Sequence, residues 1–154
     1  MLPQTHFLVA FVIALLGVKS GYFSISQAVL IGVLSVLIDL DHLFAYYHQH
    51  KKWSLKGTWN AAIVTHERER SFIQHTDGLI KVTIILFLLV LIAPKLTVVL
   101  SMAYYTHYLL DHIHTDVIQR HKLKRFMGIA YPFNYYELAL QGIIIIIIFM
   151  LLRK

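Results

Sequence analysis

The sequence contains no cysteine among its 154 residues, and only 14% of the residues are charged. The first absence excludes disulfide bonds, thiolate metal sites and cysteine nucleophiles. The second sets the chain apart from ordinary soluble proteins, in which roughly 25% of residues are charged. The chain also has no phosphate-binding glycine loop and no HExxH helix. It also has no Ser-His-Asp motif.

Apolar residues are in excess, at 58% of the chain, and they are gathered in long runs. A transmembrane helix needs about 20 such residues, within a range of about 17–25. We therefore predict an all-α fold, in which residues 1–154 form one polytopic helical bundle of about five transmembrane helices, or four if the short first run does not cross. No charged leader or cleavage site precedes the first run, so we expect a retained helix. The predicted segments are Leu2–Val18, Ser24–Tyr47, Leu79–Ala93, Leu96–Ile118 and Glu137–Leu152.

The basic residues are unevenly shared between the two ends of such a bundle. With five alternating spans, ten of the 14 Lys and Arg residues fall on the side of the N-terminus and of the connections 48–78 and 119–136. The positive-inside rule places that side in the cytoplasm, at the inner or plasma membrane. Basic connections next to apolar runs favour membrane lipids as partners, and direct nucleic-acid binding is not expected. The sequence does not fix the oligomeric state.

All 8 acidic residues and 10 histidines fall at the same predicted cytoplasmic end. His107 and Asp111 are four apart and share a helix face, as do Asp39 and His42, three apart. Asp41 points elsewhere in a regular helix, so it needs a local distortion or a second partner. Ionisable groups within a span cost about 2.5–3.5 kcal/mol each, and they persist where they pair, face a cavity or hold a cation. Imidazole with carboxylate suits zinc, our expected ion, or manganese or iron.

Several short motifs extend this pattern: Thr5-His6, Asp39-Leu40-Asp41-His42, Arg70–His75, Thr106–Asp111 and Tyr131-Pro132-Phe133. With them the sequence resembles the LexA-binding, inner-membrane-associated hydrolase family, also described as membrane-bound metal-dependent hydrolases. The motifs are spread over most of the chain. The resemblance implies a metal-dependent hydrolase whose ligands lie at His6, Asp39, Asp41, His42, His75, His107 and Asp111. One departure is that Glu69-Arg70 stands where the family shows a histidine-arginine pair.

A metal centre at this depth suits a substrate whose scissile bond lies at head-group level, and we expect a lipid phosphoester or ester. Arg70 could then bind a phosphate, and Glu67, Glu69 or Glu137 could act as general base. The alternatives are a non-catalytic metal-binding protein, a metal or proton transporter, a bis-histidine haem protein and a His–Asp network that only staples helices. Acids and histidines are missing from the other half of each span, which argues against transport. Carboxylates one turn from the histidines favour a divalent cation over haem.

Overall fold

The fold is helical, with one short hairpin of strands. The structure is a computed structural model that describes residues 2–61, 73, 75–117, 123–126, 129–132 and 135–153. Helices α1 to α4 are Pro3–Lys19, Ile25–Leu37, Asp41–His50 and Leu55–Asn60, with a 3-10 turn at Ile38–Leu40 between α2 and α3. Helices α5 to α7 are Thr76–Val90, Pro94–Val117 and Tyr135–Leu152, and strands β1 and β2 are Leu123–Phe126 and Ile129–Pro132.

The helical architecture predicted from the apolar runs is confirmed. Two helical segments are long and apolar enough to cross a membrane, Ile25–His50 and Tyr135–Leu152, whereas α1 is apolar but shorter. Within the described residues this is fewer than the five predicted spans, so the number of spans stays a prediction. The hairpin was not predicted: β1 and β2 pair antiparallel, with Leu123 opposite Pro132 and Phe126 opposite Ile129.

A tight turn joins α1 to α2. Gly21 has a φ of 78°, a left-handed conformation that glycine adopts without strain. Ser24 then caps α2: its hydroxyl accepts a hydrogen bond from the Gln27 backbone N–H, and its own N–H donates to the Gln27 side chain. Because the turn is short, α1 and α2 pack against each other as antiparallel neighbours.

Helix α1 lies among α2, α6 and α7, and α5 packs against α6. Small side chains line these contacts, which lets the helix backbones approach closely, as in membrane helix bundles. Gly32 of α2 faces Phe7 of α1, and a Cβ there would lie 3.3 Å from the Phe7 carbonyl oxygen. The buried cluster consists of Ala10, Ala14, Leu15, Ala28, Ile31, Val99 and Ala103. This core holds α1, α2 and α6 in a fixed relation, at least one helical turn away from His6 and His107.

Candidate metal centre

Four ionisable side chains from three parts of the fold meet at one end of the bundle. His6 comes from the first turns of α1, Asp39 from the 3-10 turn, and His107 and Asp111 from α6. Each residue offers one ligand atom, and these atoms all lie within 4.8 Å of one another. The structure thus brings together four of the seven residues predicted as metal ligands, and we call these four the metal centre.

The spacing of these atoms suits a small divalent cation. Asp111 Oδ1 lies 3.2 Å from His6 Nε2, and its Oδ2 lies 3.1 Å from His107 Nε2. Asp39 Oδ1 lies 3.4 Å from His107 Nε2. Four ligands at about 2.0–2.2 Å from a tetrahedral ion lie about 3.3–3.6 Å from one another. The side chains therefore need only small shifts to close around an ion.

The orientation of His107 is set by a backbone carbonyl. Its Nδ1 lies 2.7 Å from the carbonyl oxygen of Ser35, in α2. Because a carbonyl only accepts, Nδ1 carries the proton and donates it. In the neutral ring, Nε2 then presents its lone pair to the two carboxylates, which is the tautomer that a metal ligand needs.

His6 supplies the observation that fits a cation best. The residue is fully buried, and neither of its ring nitrogens makes a hydrogen bond within the part of the chain that the structure describes. Its ring stacks on that of His107, with centroids 4.0 Å apart and an interplanar angle of 22°. Buried polar atoms nearly always have a partner, and among the described residues the one polar contact of the ring is the Asp111 carboxylate, 3.2 Å from Nε2 but without hydrogen-bond geometry. An ion between imidazole and carboxylate would satisfy both groups.

The centre is sealed on one side and open on the other. The side chains of His6 and His107 are 0% and 1% exposed, whereas those of Asp39 and Asp111 are 25% and 24% exposed. The carboxylates therefore form the accessible face.

The other three predicted ligands lie outside this group. His42 is nearest, with its Nε2 4.0 Å from Asp39 Oδ1. Asp41 is turned away: its Oδ2 accepts a hydrogen bond from the backbone N–H of Ile73, at 2.9 Å. This contact is the second partner that the sequence pattern required. His75 is exposed at the N-cap of α5.

Of the predicted catalytic residues, only Glu137 is described, and it is engaged elsewhere. Its Oε1 accepts hydrogen bonds from the backbone N–H of Leu2 at 2.7 Å and from the Thr5 hydroxyl at 2.5 Å. Gln141, one turn further along α7, donates to the same hydroxyl at 2.7 Å. Glu137 is buried and serves as a cap for the first turn of α1, which carries His6. Glu69 and Arg70 lie outside the described residues.

Sequence analysis missed several residues that support the centre. Ser35 acts through its carbonyl, which leaves no signal in the residue type. Thr5 and Gln141 gain their roles only through the contact between α1 and α7. Tyr104 lies three positions before His107, and this spacing on one helix face was a usable signal.

Comparisons of the chain with protein-family models, with curated proteins and with solved structures give no match.

Proposed function

We propose that this chain is a multi-pass membrane protein whose metal centre binds a divalent transition-metal ion and catalyses hydrolysis at the cytoplasmic leaflet. The observation that carries the proposal is the buried His6 imidazole, whose nitrogens lack hydrogen bonds while its edge faces the Asp111 carboxylate at 3.2 Å. Two imidazoles and two carboxylates suit zinc, manganese or iron better than magnesium or calcium, which take mostly oxygen ligands.

Metal analysis of the purified protein tests the binding step. Wild type should retain close to one equivalent of ion after extensive washing. The Asp39→Ala, Asp111→Ala double variant should retain almost none, because half of the donor set is gone. Asp77→Ala removes an exposed carboxylate in the first turn of α5 and serves as the matched control. Equal metal content in the double variant and wild type would refute the assignment of the centre.

The membrane location rests on how little of the apolar surface is covered. In the most apolar 18-residue stretch of Ile25–His50, only 22% is buried, and in that of α7 only 11% is buried. A core helix of a soluble protein would be mostly covered. Large side chains such as Phe87, Ile92 and Phe149 are at least 70% exposed. We propose about five spans, with the N-terminus and the centre on the cytoplasmic side, because ten of the 14 basic residues fall there.

Hydrolysis is proposed from the donor set and the open face of the centre. The chemistry that a divalent ion supplies there is Lewis-acid activation of water and of a carbonyl or phosphoryl oxygen. The Ser35 carbonyl fixes the His107 tautomer, and the partly exposed carboxylates leave a way in for substrate. A catalytic zinc would be held by three of the four residues, whereas manganese or iron, which take more ligands, would be held by all four and would still leave room for water. The resemblance to membrane-bound metal-dependent hydrolases supports the same reaction class.

For the substrate we propose a membrane lipid with a phosphoester or ester bond. Beside the centre, α1 and α2 leave an open apolar groove, lined by Pro3, Gln4, Phe7, Leu8, Val33, Val36 and Leu37. Phe7 and Leu37 lie within two positions of His6 and Asp39, so the groove is at the same end of the bundle. An acyl chain lying in this groove would place its head group near the carboxylates.

The activity test uses detergent-purified protein loaded separately with zinc, manganese or iron. A panel of phospholipids and ester lipids should give turnover with at least one ion. The His107→Ala, Asp111→Ala double variant should abolish that turnover, and Asp77→Ala should preserve it. Turnover that persists in the double variant would show that another site does the chemistry.

A non-catalytic role for the centre is the second candidate, and one observation favours it. Three His–Asp distances in the centre, from 3.1 to 3.4 Å, are also compatible with direct pairing of imidazole and carboxylate. Such pairs would stabilise the contact between α1 and α6 without an ion. An ion-free protein whose thermal midpoint is unaffected by chelator or added metal would favour this role.

A further inference from the structure

The backbone of Ile73 is held from both sides by side chains of two different helices. Asp41, the first residue of α3, accepts a hydrogen bond from the Ile73 N–H, with its Oδ2 2.9 Å from the nitrogen. Tyr104 of α6 donates its hydroxyl proton to the Ile73 carbonyl oxygen at 2.6 Å. Ile73 belongs to no helix or strand, so its backbone N–H and C=O are hydrogen-bonded by these two side chains and not by neighbouring backbone groups.

Both side chains come from beside the metal centre. Asp41 follows Asp39 by two positions, and Tyr104 precedes His107 by three and so lies on a neighbouring part of the α6 surface. Ile73 precedes His75, the N-cap of α5, by two positions. Helix α5 packs against α6, the helix that carries Tyr104.

We propose that Asp41 and Tyr104 are positioning residues: together they hold the backbone of Ile73 beside the metal centre, and Asp41 is not a metal ligand. This role does not depend on whether the centre hydrolyses anything. It also separates two aspartates that stand in one Asp39-Leu40-Asp41-His42 motif. Two positions apart on a helical backbone, the two side chains point to different faces, as the sequence pattern indicated.

Asparagine substitution distinguishes the two roles chemically. The Asn amide oxygen still accepts a hydrogen bond from a backbone N–H, whereas the neutral amide is a poor ligand for a divalent cation. Asp41→Asn should therefore preserve the contact to Ile73 and the metal centre. Asp39→Asn should lose the ion. Identical substitutions two positions apart thus make a matched pair.

Hydrogen–deuterium exchange at the Ile73 amide tests the clamp directly, on the full-length protein in detergent. Wild type should exchange slowly, and Asp41→Ala should exchange on the order of 10–100-fold faster, as expected for losing a hydrogen bond to a charged acceptor. Asp41→Asn should fall near wild type. Tyr104→Phe should accelerate exchange by a smaller factor, because only the carbonyl side is released. Unchanged exchange in the α1 and α2 peptides verifies that each variant is folded.

Metal content of the same variants completes the test. Asp41→Asn should retain the ion at the wild-type stoichiometry, and Asp39→Asn should not. Wild-type exchange rates in both Asp41→Ala and Tyr104→Phe would overturn the clamp, as would loss of the ion from Asp41→Asn to the same extent as from Asp39→Asn. If wild type itself binds no ion, the proposed function fails, but the exchange rates alone still decide the clamp.

Discussion

Removing the metal ion with a chelator should lower the thermal midpoint of the wild-type protein. The same treatment should leave the midpoint of an Asp111→Asn variant nearly unchanged. Asp111 is the most informative position because its two oxygens face His6 and His107, at 3.2 and 3.1 Å. Asparagine keeps the shape of the side chain but loses its charge and one of its two acceptor oxygens. The variant therefore tests coordination with little change in packing.

The size of the effect follows from linkage between binding and folding. The donor atoms come from α1, the 3-10 turn and α6, so an unfolded chain does not hold them together. An ion present at 100 times its dissociation constant then stabilises the folded state by about 2.7 kcal/mol. For a chain of this size, about 1 kcal/mol corresponds to about 2–4 °C in the midpoint. Chelation should thus lower the wild-type midpoint by about 5–11 °C.

The assay is thermal unfolding of detergent-purified protein, followed by intrinsic fluorescence or circular dichroism, before and after chelator and again after zinc is restored. The Asp77→Asn variant carries the same chemical change on the exposed first turn of α5 and should behave as wild type. A chelator-induced shift of equal size in Asp111→Asn and wild type would refute the reasoning, because the ion would then be bound elsewhere.

Three further results are expected. The chain has no cysteine of its own, so a single cysteine can be placed at position 52 or at position 124. Neither should react with an impermeant thiol reagent in intact cells. Labelling of both from outside would reverse the proposed orientation. Glu137→Ala should lower the free energy of unfolding by about 1–3 kcal/mol, because it leaves the Leu2 N–H and the Thr5 hydroxyl without their acceptor. Glu137→Gln, which keeps an acceptor oxygen, should lower it by less. Equal thermal midpoints for the two variants would contradict a capping role. Gly32→Ala should lower the midpoint because its Cβ would meet the Phe7 ring at 2.9 Å, whereas Gly142→Ala, with open space around its Cβ, should leave it unchanged or raise it.

The positions of the long helices could be predicted because glycine, serine and proline interrupt the apolar runs. The predicted segment Leu96–Ile118 corresponds to α6 at Pro94–Val117, and Leu2–Val18 corresponds to α1 at Pro3–Lys19. The hairpin at 123–132 escaped prediction, because neither strand shows the alternation of apolar and polar residues that marks a half-buried sheet.

Part of the metal centre could be predicted by the same periodicity. His107 and Asp111 share a face of α6 at a spacing of four, and the structure places their side chains 3.1 Å apart. That His6 joins them depends on how α1 packs against α6, for which the sequence offered a family motif but no geometric argument. Periodicity put Asp41 on a different face from Asp39, but its partner, the Ile73 N–H, could not be predicted because that contact is a tertiary feature. Glu137 was predicted as a possible general base because its role as a cap of α1 depends on a contact between α7 and α1 that the sequence does not show.

The cap on α1 has a consequence for the order in which the protein assembles during synthesis. Thr5 and Glu137 are 132 residues apart in the chain, and Leu2 and Glu137 are 135 apart. A ribosome must therefore translate the start of α7 before the start of α1 has its acceptor. Until then the Leu2 N–H and the Thr5 hydroxyl are without this acceptor. A chain that terminates before α7 would therefore have a first helix that lacks its cap at the end that carries His6.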